Sequence, residues 1–273
     1  MILQQREEAW KHPLLLLYRK TAALQSCAEM RSIMATYKRY RKEDSVSYSL
    51  GITLTFELLK FKTEYVNKVY IHSAMKPGDT LEKIKSICAS SGIEIVYADK
   101  IFNVLSQKEN CYVIGEFRKF QGKLDKDKSH IVLVNPSNAG NMGTIMRSAL
   151  GFGMNNMAII RPAVDAYDPK VVRASMGAIF STNFVYYESF DEYLKEAGER
   201  ELYPFMLDAK VKLHDVSPAG RFSLIFGNEA TGLPHEFASI GTSVIIPHSD
   251  RIDSLNLPIA ASIAMYEATK SSF

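Results

Sequence analysis

The sequence is poor in cysteine and contains no long hydrophobic run. Its three cysteines, Cys27, Cys88 and Cys111, are far apart and odd in number, which excludes a disulfide framework and the usual zinc-ligand spacings. The longest apolar stretch, Leu14 to Tyr18, is far shorter than the roughly 20 residues of a membrane helix. The N-terminus shows no signal-peptide pattern. These absences predict a cytoplasmic protein with reduced thiols and no membrane partner.

Several catalytic signatures are also missing. A dinucleotide fingerprint would need a third glycine after Gly151 and Gly153, but Asn156 stands there, so this pair is better interpreted as the end of a helix. The sequence has no Gly-x-Ser-x-Gly element, which excludes the serine-hydrolase pattern. It has no cluster of His, Cys and Asp at metal-ligand spacing, so we expect no metal cofactor.

Positive charge is concentrated in the first half of the chain. Residues 1–130 contain 22 Lys and Arg against 15 Asp and Glu, whereas residues 131–273 contain 11 against 15. The basic half favours contact with a polyanion such as RNA, although this imbalance also occurs in ordinary soluble domains. The run Lys38-Arg39-Tyr40-Arg41-Lys42 suits phosphate contact and base stacking, and it suits a solvated helix end almost equally well.

Hydrophobic periodicity predicts a helical segment over residues 1–40 and a small α/β unit over residues 46–120. In that unit we expect helices over 51–60, 80–91 and 100–105, and strands over 66–71, 93–97 and 112–117. Residues 121–130 contain one apolar side chain and are interpreted as an exposed linker.

Residues 131–273 alternate between strand and helix patterns, which predicts a parallel sheet with helices on both faces. The expected strands cover 131–134, 157–160, 184–187, 203–207, 223–226 and 243–246, and the expected helices cover 142–151, 169–179, 190–197 and 257–270. Ligands bind at the carboxyl ends of the strands in such sheets.

Three polar blocks fall at those strand ends. In the first, the loop 135–143 can direct backbone N–H groups at an anion, such as an RNA phosphate. A simpler interpretation makes Asn141 a helix cap and Arg147 a surface residue. In the second, Gly227 would allow a ligand to approach the backbone, and Glu229 could cap a following helix. In the third, Ser254 and Asn256 open the last helix, where capping is ordinary.

Taken together, the blocks match a family pattern. Asn141, Gly143 and Arg147 fit Asn-x-Gly-x-x-x-Arg, and Gly227-x-Glu229-x-x-Gly232-Leu233 fits the second motif. The third motif, Ile-Pro followed by Ser-Leu-Asn-Leu, is matched by Ile246-Pro247 and Ser254 to Leu257. In this order and spacing the sequence resembles the SpoU (TrmH-like) RNA ribose 2'-O-methyltransferases of the SPOUT superfamily.

The resemblance implies an α/β fold. Its C-terminal part, residues 131–273, would be a parallel-sheet SPOUT domain with a deep trefoil knot. A small α/β RNA-binding domain with a helical extension (1–120) and a linker (121–130) would precede it. Family members usually dimerise through the knotted domain, so a homodimer is expected.

The resemblance also implies the roles of individual residues. S-adenosylmethionine would be bound by Leu207, Gly227, Ile246 and Leu255. The catalytic set would be Asn141, Arg147, Glu229, Ser254 and Asn256. RNA would meet Lys38, Arg39, Arg41 and Lys42. His248 departs from the family, where Met usually follows Ile-Pro.

The predicted function is therefore S-adenosylmethionine-dependent methylation of a ribose 2'-hydroxyl, with large-subunit (23S) rRNA as the first choice of substrate. A tRNA substrate remains open. A non-enzymatic RNA-binding or ribosome-assembly factor on the same scaffold is the alternative from another class.

Overall fold

The computed structural model describes residues 37–106 and 110–273, so the helical prediction for residues 1–36 lies outside the described residues. Tyr40 to Phe273 forms one compact unit. Its first sheet has the strand order β1-β4-β2-β3, with β2 and β3 parallel and the other pairs antiparallel. The elements here are β1 (Val46–Leu50), α1 (Ile52–Phe61), β2 (Val66–Ile71), α2 (Asp79–Ser91), β3 (Glu94–Tyr97), α3 (Lys100–Leu105) and β4 (Val113–Arg118).

The second sheet is parallel throughout, as the alternating pattern predicted, with the order β7-β6-β5-β10-β8. Its strands are β5 (His130–Val134), β6 (Asn156–Ile160), β7 (Asn183–Tyr187), β8 (Glu201–Pro204) and β10 (Phe222–Phe226). Two further short strands, β9 (Val211–Lys212) and β11 (Val244–Ile245), pair with each other, and Val244 also bridges to Phe205. The helices are α4 (Ala139–Gly151), α5 (Pro169–Ala174), α6 (Phe190–Ala197) and α7 (Leu257–Thr269).

Both faces of this sheet are buried, which explains why its central strands are continuous apolar runs. Alternate residues of β5 serve opposite faces: Ile131 and Leu133 pack on the core formed with α4, α5 and α7, and Val132 and Val134 pack on the core formed with α6. The first sheet joins the larger core through Phe117 of β4, and α1 joins it through Leu58. The ring centroids of Phe117 and Phe180 are 5.4 Å apart. The two sheets are therefore packed together. In the expected linker, Leu124 is buried and His130 already belongs to β5.

Two helices differ from the expectation. Helix α4 begins at Ala139, three residues early, because the Asn138 side chain caps it by accepting the Asn141 N–H at 3.0 Å. Helix α5 ends at Ala174 instead of continuing to Ile179, since Met176 and Gly177 adopt left-handed conformations. A Cβ on Gly177 would lie 2.9 Å from the Cβ of Glu57, so the break lets α1 approach closely.

Strand β1 was not predicted, and its sequence explains the omission. In Val46-Ser-Tyr-Ser-Leu50 the two serines are fully buried and the apolar residues are only partly buried, the reverse of the usual alternation. The Ser49 hydroxyl hydrogen-bonds the Thr55 hydroxyl at 2.9 Å, and its Oγ would lie 2.6 Å from a Cβ at position 115, which is glycine.

The helices of the described residues are too short or too polar to span a membrane.

A buried histidine makes the stability of this fold depend on pH. His130 is fully buried, with Nε2 2.8 Å from the Asp125 carbonyl and Nδ1 3.0 Å from the Tyr193 hydroxyl. A carbonyl oxygen only accepts, so Nε2 carries the proton of the neutral ring. Burial lowers the pKa of His130 to about 4.

We predict that the free energy of unfolding falls as the pH drops from 7.5 to 5. The unfolded chain binds a proton at His130 near pH 6.5 and the folded chain does so only near pH 4, so unfolding is favoured between these values. The loss at pH 5 should be about 2 kcal/mol, measured by urea titration. His130→Gln should flatten this dependence, and His214→Gln, at an exposed histidine, should retain it. Equal slopes in the two variants would contradict the assignment.

Candidate active site

A cavity opens where β8 and β10 end and where α7 begins. It contains all four residues expected to bind the cofactor, namely Leu207, Gly227, Ile246 and Leu255, and also Glu229 and Ser254 from the expected catalytic set. These positions come from three separate segments of the chain. The parallel sheet aligns the segments after β8 and β10, and the bridge between Phe205 and Val244 brings the segment after β11 beside them. The lining also includes residues that sequence reasoning missed: Phe205, Met206, Thr231 and Leu257. Phe205 and Phe226 stack at 4.6 Å, and only their position at strand ends could have indicated them.

Glu229 joins this cavity to the loop before α4. One carboxylate oxygen accepts the N–H and the hydroxyl of Ser137, at 3.1 and 2.9 Å. The other accepts the N–H of Asn138 at 3.1 Å and the side-chain amide of Asn141 at 3.2 Å. Partial burial tends to raise the pKa of Glu229, but hydrogen bonds from its own N–H, Ser137 and Asn138 outweigh it and lower the pKa.

The structure decides two interpretations that the sequence left open for these loops. The 135–143 loop can direct backbone N–H groups at an anion, and Ser137 and Asn138 donate theirs to the Glu229 carboxylate, which is an internal anion. Glu229 does not cap a following helix, since residues 228–232 form a tight turn closed by Asn228 and Gly232. Asn228 also donates to the Asn135 carbonyl at 2.8 Å, which adds a second link between the loops.

The motif glycines serve close backbone packing. A Cβ on Gly227 would lie 2.1 Å from the carbonyl carbon of Gly232, so this position closes the 227–232 turn as well as lining the cavity. A Cβ on Gly143 would lie 2.6 Å from the Val171 oxygen and from the Ala174 Cβ, so this glycine lets α4 pack on α5. These contacts account for both glycines without a ligand.

Arg147 does not line the cavity. It is exposed on α4, on the stripe that also contains Gly140 and Thr144, and within the described residues its guanidinium has no hydrogen-bond or ion-pair partner. Asn141, by contrast, lies half-buried against Glu229. The structure therefore places Asn141 next to Glu229. It leaves the guanidinium of Arg147, on the same helix, without a partner among the described residues.

The third block leaves polar groups unused at the start of α7. Asn256 occupies the cap position, but its side chain makes no capping hydrogen bond, so ordinary capping does not explain it. Among the described residues the Leu255 N–H has no acceptor within the chain. His248 lines the cavity and its Nδ1 lies 2.8 Å from the Ile246 carbonyl, so this nitrogen carries the proton and Nε2 remains an acceptor.

The basic run ends in a turn instead of a helix. Arg41 and Asp44 close this turn through the Arg41 N–H on the Asp44 carboxylate at 2.7 Å. Lys38, Arg39, Arg41 and Lys42 are all exposed. No group of three His, Cys, Asp or Glu side chains within residues 37–106 and 110–273 is placed to hold a metal ion.

Comparison with known proteins assigns the family. Residues 128–266 match the model of the SpoU rRNA Methylase family, and the chain belongs to this family. A candidate tRNA (cytidine(34)-2'-O)-methyltransferase of Listeria innocua is 32% identical over 148 residues, which are 52% of this chain and 87% of that protein. The 23S rRNA (uridine(2479)-2'-O)-methyltransferase of Streptomyces viridochromogenes is 31% identical over 51% of this chain, and the chain spans about half (52%) of its length.

Solved structures share the fold over more of the chain. The AdoMet-bound rRNA methyltransferase from Sinorhizobium meliloti has a TM-score of 0.73 at 23% identity, covering 85% of this chain and 90% of its own. The SpoU methyltransferase AviRb from Streptomyces viridochromogenes has a TM-score of 0.72 at 21% identity, covering 83% and 90%. The first sheet is thus included in the likeness of fold.

We predict that Glu229→Gln destabilises the protein by about 1–2 kcal/mol, because an amide cannot accept on both sides and one pair of donors loses its partner. The same variant should also show faster amide hydrogen exchange at Ser137 and Asn138. Glu236→Gln, at an exposed position close in the chain, is the matched control and should change neither the urea midpoint nor the exchange. Unchanged exchange in Glu229→Gln would contradict the role of this carboxylate in joining the loops.

Proposed function

We propose that this chain uses S-adenosylmethionine to methylate a ribose 2'-hydroxyl in RNA, and that the RNA is large-subunit rRNA. The observation that carries the proposal is the cavity, which collects Leu207, Gly227, Ile246 and Leu255 beside Glu229 and Ser254. Membership of the SpoU rRNA Methylase family agrees with it, and so do the 2'-O-methyltransferase names of the relatives.

The residues of the cavity fit the cofactor. The stacked Phe205 and Phe226 and the leucines at 207, 255 and 257 give apolar surface for an adenosyl group. The Leu255 N–H, which has no acceptor among the described residues, can pair with the polar edge of adenine, and so can the Ile246 carbonyl through the lone pair that His248 leaves open. When bound, S-adenosylmethionine supplies an electrophilic methyl group on a sulfonium. No metal enters this proposal.

The polar residues have separate roles in the proposed reaction. The guanidinium of Arg147, which has no partner in the described part of the chain, holds the phosphate beside the target ribose and stabilises charge there. It is not a base, because guanidinium stays protonated in proteins, so the held phosphate accepts the hydroxyl proton. Ser254 and Asn256 orient the hydroxyl toward the methyl group. Glu229, whose oxygens are occupied by Ser137, Asn138 and Asn141, positions the loop and Asn141.

The choice of rRNA rests on the layout of the chain. The Listeria tRNA relative matches over 87% of its length but only 52% of this chain, so it has no counterpart of the first sheet. The structures that share this fold over 85% of the chain include an rRNA methyltransferase from Sinorhizobium meliloti. A tRNA substrate is the second candidate. Residues 1–120 would form the substrate domain, 121–130 the linker and 131–273 the methyltransferase domain.

We further propose a deep trefoil knot, a homodimer and a cytoplasmic location. The knot is the expectation for the SpoU family, to which residues 128–266 belong. The buried, unpaired Cys88 and Cys111 support a reducing compartment. For the dimer, the α4–α7 pair exposes a stripe formed by Leu150, Ile259, Ile263 and Tyr266, and a second copy of the chain would cover it.

Methyl transfer tests the reaction directly. Labelled S-adenosylmethionine and unmodified total RNA should yield a 2'-O-methylnucleoside, identified by nuclease digestion and mass spectrometry. Arg147→Ala should lower the rate on the order of 100-fold by removing the phosphate contact. Arg147→Lys should recover only part of it, because Lys lacks the bidentate fork. Arg221→Ala, at an exposed arginine on the opposite edge of the sheet, should keep the wild-type rate.

The outcomes separate the alternatives. Full activity in Arg147→Lys would refute the bidentate phosphate role. No product together with no thermal shift by S-adenosylmethionine would favour the RNA-binding factor. Product in tRNA and none in rRNA would replace the proposed substrate.

We predict that Tyr266→Glu converts the dimer to a monomer, because the substitution places a charge within the apolar stripe, where Tyr266 is 56% exposed. Sedimentation should give twice the chain mass for the wild type and one chain mass for the variant. Tyr97→Glu, at a tyrosine 64% exposed on β3, should remain dimeric. A wild-type protein with the mass of one chain would contradict the dimer.

A further inference from the structure

A second cleft, of about 480 Å³, lies where the end of β4 meets β7 and the loop after β6. Its volume is in the range of ligand pockets. Its walls include Lys42, Lys119, Phe120, Arg161, Tyr167 and Tyr186, and it shares no lining residue with the cofactor cavity. The cleft thus combines aromatic rings with three cations outside the site described above.

Hydrogen bonds hold in place the two tyrosine rings of the cleft, Tyr186 and Tyr167. The Tyr186 hydroxyl donates to the Val164 carbonyl at 2.8 Å and accepts the Ala166 N–H at 2.7 Å. The Tyr167 hydroxyl donates to the Phe120 carbonyl and accepts the Phe120 N–H. Tyr167 is buried and supports the cleft from below, whereas Tyr186 is only partly buried and presents apolar ring surface to the cleft.

Two of the three cations are available to a ligand. Lys119 is engaged, since its Nζ lies 3.3 Å from Asp165 and both side chains are largely buried. Lys42 is exposed and, among the described residues, its ammonium has no ion-pair partner. Arg161 lies 4.8 Å from the centroid of the Tyr186 ring, and its partner Glu188 has an 80% exposed side chain, so this pair is weak.

The cleft borders the active-site loop. The loop after β6 contributes Arg161 and Asp165 to the cleft, and between them Val164 donates its N–H to the Pro136 carbonyl at 2.8 Å. Pro136 directly precedes Ser137, which donates to Glu229. A chain of nucleotides leaving the site along this loop would therefore reach the cleft.

We propose that this cleft binds a nucleotide of single-stranded RNA that flanks the methylated one. The base of this nucleotide stacks on the Tyr186 ring, and its phosphate pairs with Lys42 and Arg161. The inference rests on the proposed function, because it takes the RNA of that function as the ligand, and it assigns Arg161 a role that the basic run alone did not indicate.

The test measures RNA binding without requiring methyl transfer. The probe is a fluorescein-labelled single-stranded 12-nucleotide RNA of mixed sequence, titrated with the full chain and followed by anisotropy at several salt concentrations. Lys42→Gln/Arg161→Gln should weaken binding about tenfold and make the salt slope shallower by about 0.7, because both cations pair with the one phosphate. The thermal shift with S-adenosylmethionine should stay at its wild-type value.

The control is Lys83→Gln/Arg221→Gln, which removes an exposed lysine and a matched ion-paired arginine elsewhere. It should keep the wild-type affinity and slope. Lys42→Arg/Arg161→Lys keeps both charges and should restore most of the affinity, which separates loss of charge from misfolding. Equal affinity and slope in the cleft variant and the control would overturn the proposal.

A free nucleotide is the other source of this ligand chemistry. Millimolar uridine and adenosine monophosphates should leave the RNA affinity unchanged. Displacement of the RNA by either nucleotide, lost in the cleft variant, would overturn the assignment to RNA. If the RNA binds through the cleft but no methylated nucleoside forms with any RNA, the proposed function fails while the cleft stands.

Discussion

The arrangement of the site depends on the hydrogen bonds that the Glu229 carboxylate accepts. This carboxylate comes from the loop after β10, and it occupies the donors of the loop after β5, two segments that meet because β5 and β10 are adjacent and parallel. A carboxylate with these neutral donors has a lowered pKa and stays charged at neutral pH. The same charge favours the N-terminus of α4, the helix that carries Arg147.

Parallel pairing explains how distant motifs become one site. Strands β8 and β10 end at the same edge, and the bridge between Phe205 and Val244 adds the end of β11, so Leu207, Gly227 and Ile246 line one cavity although about 20 residues separate each from the next. The glycines then set how closely the backbone packs. Gly227 closes its turn against Gly232, and Gly143 brings α4 onto α5, so changes at either position would move the loops that line the site.

The sequence predicted the parallel sheet and the ends of β5, β6, β7 and β10, because buried parallel strands are continuous apolar runs followed by polar, glycine-rich residues. It was wrong for the strand expected over 203–207, which ends at Pro204, and for the strand expected over 243–246, which pairs with β9 outside the main sheet. It failed where tertiary contacts decide. Buried serines hid β1, and the approach of α1 to Gly177 broke the helix expected over 169–179. The partner of the 135–143 loop was an acid about ninety residues away, and no local pattern connects a loop of N–H donors to Glu229.

Arg147 links the proposed catalysis to the proposed dimer, because it lies on the same exposed face of α4 as part of the apolar stripe. The cavity collects the residues proposed to bind the cofactor together with Glu229, but Arg147 lies outside it and is free of partners among the described residues. Leu150, one turn further along the same exposed face of α4, belongs to the apolar stripe of the proposed dimer. Burying that stripe would bring the guanidinium to the edge of the interface, where a charge is tolerated only if a polar group or solvent meets it. In the proposed reaction an RNA phosphate would supply that group, so the contact that would stabilise the dimer would also place the phosphate ligand.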